Sequence, residues 1–147
     1  MQHPDISVVV CTYNRAAVLR IALASLLAQE TEGAFTYEIV AVDDASPDDT
    51  PQVIEEAAAQ APVPLRRVAG AGAGVAAARN AGVAAARGNW IAFTDDDQRN
   101  DPRWLIELWR TAQATGADCV GGGVELELAA LPEYPLTGIT AAILGQK

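Results

Sequence analysis

Two short runs, Ile6-Ser7-Val8-Val9-Val10-Cys11 and Glu38-Ile39-Val40-Ala41-Val42, are apolar almost without interruption and rich in β-branched residues. A strand with one wet face alternates apolar and polar side chains, whereas a strand covered on both faces does not. These runs therefore belong in a sheet with helices on either side. From Ala16 to Gln29, Val18, Leu19, Ala22, Leu23, Leu26 and Leu27 recur at helical spacing. After the second run, Ser46-Pro47-Asp48-Asp49 has the form of a helix start, with a cap, a first-turn proline and acids at the positive dipole end. That helix is expected to reach Gln60, where Pro62 and Pro64 end it. Leu65-Arg66-Arg67-Val68 reads as a third strand. The loop Gly70-Ala71-Gly72-Ala73-Gly74 leads into an alanine-rich helix from Val75 to Arg87, stopped by Gly88. Trp90 to Thr94 is a fourth strand. Asp101-Pro102 then opens a helix to Thr115 that carries Trp104, Leu105, Leu108 and Trp109. A further strand is expected from Cys119 to Leu128, broken by Gly121-Gly122-Gly123, with a weak apolar stretch from Ile139 to Leu144. Strand and helix thus alternate four times, which predicts parallel crossovers and an α/β, doubly wound, mostly parallel sheet with helices on both faces.

The 147 residues amount to one domain of ordinary globular composition, and the formal charge of −9 argues against a nucleic-acid or anionic-membrane surface. Two cysteines at expected strand positions, Cys11 and Cys119, are read as buried free thiols. A single histidine, His3, near the start leaves no basis for a His/Cys zinc site or a Ser-His-Asp triad. With neither a signal peptide nor an apolar run of membrane-spanning length, the chain is expected to be cytoplasmic.

In a doubly wound sheet, ligands bind outside the carboxyl ends of the strands. Thr12-Tyr13, Asp43-Asp44, the glycine loop and Asp95-Asp96-Asp97 all fall at those ends. Three adjacent carboxylates repel one another unless a cation sits among them. Alternation along an extended backbone sends Asp95 and Asp97 to one side and Asp96 to the other, and a pair of oxygen ligands with room for phosphate suits Mg2+ or Mn2+. A solvated acidic loop ahead of the next helix is the plain alternative. For a nucleotide, Tyr13 offers a flat partner to the base and Asp43 an edge contact, while Arg79 can reach over the mouth toward a diphosphate. A rival reading is also present. Gly72-Ala73-Gly74-Val75-Ala76-Ala77 fits the G-x-G-x-x-G/A pattern of NAD-type dinucleotide-binding domains, with Asp95 about 20 residues on, though two complete βα units precede it.

Val8-to-Arg15, Glu38-to-Thr50 ("EIVAVDDASPDDT") and Gly74-to-Asp97 ("GVAAARNAGVAAARGNWIAFTDDD") resemble, in order and spacing, three motifs of family-2 glycosyltransferases with the GT-A, Rossmann-like fold. The resemblance covers residues 6 to 125. It implies a nucleotide-diphosphate-sugar donor, with UDP or TDP favoured, a divalent Mn2+ or Mg2+, and transfer with inversion. By position, Cys11, Thr12, Tyr13, Arg15, Asp43, Arg79, Asp95 and Asp96 fall on the donor side. The resemblance implies that Asp96 lies near the ribose and that Asp97 is the direct metal ligand, with Asp95 beside it. Cys11 stands where the family has proline. Residues 1–128 are read as the donor-binding domain and 129–147 as the start of an acceptor-side region or a tail. Beyond Asp118 only Glu125, Glu127 and Glu133 are acidic, and none matches the family's general-base motif. The expectation is therefore a fragment of a longer transferase, or a nucleotide-binding module that does not itself catalyse transfer.

Overall fold

A computed structural model describes residues 3–125. β1 (Ile6–Thr12), α1 (Ala16–Leu27), β2 (Tyr37–Asp43), α2 (Thr50–Gln60), β3 (Leu65–Ala69), α3 (Val75–Ala85), β4 (Trp90–Asp95) and α4 (Trp104–Thr115) follow in strict alternation. The strands form one parallel sheet in the order β3-β2-β1-β4. The chain steps outward from β1 through β2 to β3, then returns past β1 to lay down β4 on the other side. The strand order therefore reverses between β1 and β4.

The uninterrupted apolar runs are explained by cover on both faces. Ile6, Val8, Val10, Ile39 and Ala41 pack with Leu19, Leu23 and Leu26 of α1, Val53 and Ile54 of α2, and Leu105 and Ile106 of α4. The intervening Val9, Val40 and Val42 pack with Ala78 of α3, joined by Ala81 and Ala85. Each fully buried Leu or Ile contributes about 1.5–3 kcal/mol of transfer free energy, so the leucine-bearing face carries most of the core. On the other face, α3 lies so close that a Cβ on Gly82 would come 2.4 Å from a methyl of Val9. Small residues there let the helix backbone approach the sheet.

At the amino ends of the strands one carboxylate is sealed inside. Glu38 accepts hydrogen bonds from Ser7 Oγ (2.8 Å), the Arg87 amide (2.9 Å), and Arg66 Nε (3.1 Å) and Nη2 (3.3 Å). Arg66 also donates to the Ala85 carbonyl, and Ser7 Oγ accepts from the Gly88 amide. This network ends α3 at Ala85, with Ala86 extended, two residues before the expected end at Arg87.

Other boundaries differ as well. α2 begins at Thr50 with Pro51 in its first turn, rather than at Ser46-Pro47. Ser46 Oγ accepts from the Asn14 amide in the loop after β1, and Asp48 accepts from the first amides of two helices, Ala16 of α1 and Thr50 of α2. The strand expected from Cys119 is not formed over residues 119–125, and Cys119 is exposed rather than buried. A strand needs a ladder partner for its backbone groups, and among the described residues β4 pairs with β1 alone. Residues 126–128 and the apolar stretch 139–144 lie outside the described residues. Among those described, no helix is long and apolar enough to cross a membrane.

Candidate functional site at the strand-order reversal

Parallel register brings the strand ends level: Thr12 lies opposite Asp43, Cys11 opposite Asp95, and Asp43 opposite Ala69. Across the reversal, Thr12 Oγ1 donates to Asp96 Oδ2 at 2.7 Å. Arg15, from the loop after β1, donates through Nη1 to Asp96 (3.2 Å) and Asp97 (3.0 Å). Arg79, projecting from α3, pairs with Asp95 at 3.1 Å. Asp96 is buried while Asp95 and Asp97 are more than half exposed. Exposure therefore alternates along the run, but the partners do not: β4 ends at Asp95, the chain turns, and Arg15 reaches two consecutive carboxylates. Every acid of the run has an arginine beside it.

Asp43 is buried and held inward, accepting from the Ser46 amide (3.0 Å) and Arg67 Nη1 (3.1 Å). Asp44, placed by the sequence beside Asp43 at a strand end with no role of its own, organises the glycine loop. One of its oxygens accepts the Gly72 amide at 2.8 Å and the other the Gly74 amide at 2.9 Å. Gly70 must be glycine for this approach, since a Cβ there would lie 2.5 Å from Asp44 Oδ1. The pyrophosphate of a dinucleotide needs the amides of that loop and helix start, and Asp44 already takes those of Gly72 and Gly74. β3 is also an edge strand, so the loop lies away from the reversal. Both observations weigh against the dinucleotide reading. A glycine-rich loop leaves a nest of free amides that calls for an anion, and that was the available signal for Asp44.

Tyr13 is 57% exposed, its ring free to meet a ligand. Burial pushes the Cys11 thiol up; Arg79 lowers it in part, and Asp44, Asp95 and Asp96 raise it again. On the β4 side a cleft of about 1980 Å³ runs past Phe93, Trp104 and Trp109 and is bordered by Arg79, Asp95 and Asp97. The acidic run thus stands between this cleft and the Tyr13–Asp43 side.

Among the described residues no three His, Cys, Asp or Glu side chains form a ready metal cage. Mg2+ does not require one: it takes one or two carboxylates together with phosphate oxygens and water, and Mn2+ accepts the same hard ligands. The exposed carboxylates of Asp95 and Asp97 fit that donor set.

A parallel sheet with helices on both faces and a strand-order reversal at its carboxyl ends defines an α/β protein with a Rossmann-like fold. More particularly, the chain belongs to glycosyl transferase family 2, whose model matches residues 7–141. It is 37% identical over 149 residues to the succinoglycan biosynthesis protein ExoO of Rhizobium meliloti, covering 90% of this chain and 41% of ExoO. It is 33% identical over 104 residues to the hyaluronan synthase of Pasteurella multocida, covering 71% of this chain and 10% of that protein. Among solved structures, the mannosyltransferase PcManGT from Pyrobaculum calidifontis, in complex with GDP-Man and Mn2+, aligns with a TM-score of 0.57 and 31% identity over 66% of this chain and 28% of its own. Residues 1–349 of S. aureus TarS, in complex with UDP-GlcNAc, align with a TM-score of 0.63 and 25% identity over 83% of this chain and 37% of that one. The chain thus spans less than half the length of each of these relatives. These neighbours bear out the GT-A, Rossmann-like fold expected from the motifs.

Proposed function

We propose that residues 1–128 form the donor-binding domain of a glycosyltransferase that moves a sugar from a nucleotide-diphosphate sugar to an acceptor, with inversion. The observation that carries this reading is the meeting of Thr12, Arg15, Arg79 and Asp95–Asp97 at the strand-order reversal. In it, Tyr13 stacks on the base, with Cys11 and Thr12 lining that pocket, and Asp43 contacts the nucleoside from its place beside Arg67. Asp96, braced by Thr12, lies toward the ribose. Arg15 and Arg79 serve the diphosphate. Asp97, with Asp95, would hold Mn2+ or Mg2+; such an ion neutralises charge developing on a diphosphate leaving group.

The Mn2+ and GDP-Man of PcManGT and the UDP-GlcNAc of TarS support a nucleotide-sugar donor and a divalent ion. Because those donors carry different bases, the lean toward UDP or TDP has to be tested. The names of ExoO and of the hyaluronan synthase refer to glycans, which supports a glycan acceptor.

The test is calorimetric titration with UDP, TDP and GDP, with and without Mn2+, on the wild type and on Asp97→Ala. Binding of one nucleotide that requires Mn2+ and is lost in the variant is the expected result. A folded wild type that binds none of the three under either condition would overturn the reading.

A further inference from the structure

We propose that Arg15 is an exchangeable partner of the acidic run: it braces Asp96 and Asp97 in the arrangement seen here, yields them to a divalent cation, and turns its guanidinium to the donor's diphosphate. This rests on the reading of Asp95 and Asp97 as the ion-holding pair, and adds a coupling between ion and nucleotide that the reading does not contain.

A single nitrogen, Arg15 Nη1, lies within 3.2 Å of an Asp96 oxygen and 3.0 Å of an Asp97 oxygen. A cation bound by Asp97 therefore competes with that nitrogen for the same carboxylate. The competition is one the arginine can lose. The Arg15 side chain is 52% exposed and that of Asp97 55%, and solvent-exposed ion pairs amount to about fivefold at most in an equilibrium constant. A divalent ion brings twice the charge to the same oxygens.

The surroundings allow the exchange without rebuilding the loop. On one side of Arg15 the Asn14 amide donates to Ser46 Oγ at 2.9 Å, and on the other the Ala16 amide donates to Asp48 at 3.1 Å. The Arg15 carbonyl accepts the Leu19 amide at 2.9 Å and so starts α1. The backbone is fixed at three points, leaving only the side chain to swing. Asp96 keeps its orientation when Arg15 leaves, because Thr12 Oγ1 still donates to it at 2.7 Å. The released guanidinium is planar, permanently charged and suited to bidentate contact with phosphate oxygens. Arg15 thus makes ion binding and diphosphate binding interdependent, and its removal should affect the two in opposite directions.

The experiment titrates the chain with Mn2+ alone, and then with the nucleotide selected above at saturating Mn2+. It compares wild type, Arg15→Gln, Arg15→Lys and Asp97→Asn, with folding checked by circular dichroism. Arg15→Gln is expected to bind Mn2+ about two- to fivefold tighter, its competitor being gone, and the nucleotide about tenfold weaker, a charge-assisted contact being lost. Arg15→Lys keeps a charge but not the fork, so it should shift both constants in the same directions by less, and it serves alone if the glutamine variant does not fold. Unchanged or weaker Mn2+ binding by the Arg15 variants, with wild-type Mn2+ binding still abolished by Asp97→Asn, would overturn the exchange and leave the ion site standing. Tighter Mn2+ binding with unchanged nucleotide affinity would also overturn it. No Mn2+ binding by wild type or variants would remove the ion site and the exchange together.

Discussion

Glu38 at the amino ends of this sheet and the pair Asp95 and Asp97 at its carboxyl ends are held in opposite ways. At the amino ends Glu38 is 1% exposed and has four donors around it, from Ser7, Arg66 and the Arg87 backbone. At the carboxyl ends Asp95 and Asp97 are more than half exposed, each paired with an arginine that is itself about half exposed. Burying a charge is costly unless its partners are complete, and once they are complete, removing one leaves an uncompensated charge inside. The amino end therefore locks α3 onto β1 and β2 and has no spare capacity. The carboxyl end buries Asp43, Asp44 and Asp96 as well, but Asp95 and Asp97 there form weak pairs that solvent and ligands can replace. Rigidity beneath and exchangeable charge above let a fixed scaffold present a site whose partners can change.

Several substitutions can break or sharpen this contrast. The largest loss of stability is expected for Glu38→Ala, which leaves Arg66 only the Ala85 carbonyl and the Arg87 amide only Ser7 Oγ; urea denaturation should show a loss of about 3 kcal/mol. A loss below about 1 kcal/mol would mean that the two ends do not differ in the way described. Asp44→Ala comes next, at about 2 kcal/mol. Asp44 sits at the carboxyl end but is buried and faces the Gly72 and Gly74 amides, so hydrogen exchange at those two amides should accelerate.

A smaller effect concerns pH. Burial raises the Glu38 pKa, but hydrogen bonds from Arg66, Ser7 and the Arg87 amide outweigh it and leave the net value below the ordinary carboxylate range. The unfolded chain then takes up the proton first. This contribution is complete above the unfolded value of about 4.3 and is lost as pH falls from there through the folded pKa. Urea midpoints measured downward from pH 6 should therefore fall less steeply in Glu38→Gln than in the wild type. The smallest stability change is expected for Asp97→Asn, within about 0.5 kcal/mol, even though Mn2+-dependent nucleotide binding disappears. A large stability loss there would place Asp97 with Glu38 as a structural charge.

Much of this was legible from the chain alone because it depends on local pattern. The unbroken runs at Val8–Val10 and Ile39–Val42 require two covered faces, and the spacing of Leu19, Leu23 and Leu26 requires a helix. Sequence order likewise places Thr12, Asp43 and Asp95–Asp97 at strand ends. What local pattern does not contain is the partner of each polar group. Ser46 and Asp48 have the form of a helix cap, and besides the Thr50 amide of α2 they satisfy the amides of Asn14 and Ala16 because β2 lies beside β1. Asp44 and the glycine loop are about 28 residues apart and meet only because β3 pairs with β2. Glu38 looks like one more strand residue until Ser7, Arg66 and Arg87 converge on it from three other segments. Periodicity is a property of neighbours in sequence, so the sequence by itself determined the elements and their order. Hydrogen-bond satisfaction is a property of neighbours in space, so only the tertiary structure decided which carboxylates are sealed into the scaffold and which remain exposed to exchange partners.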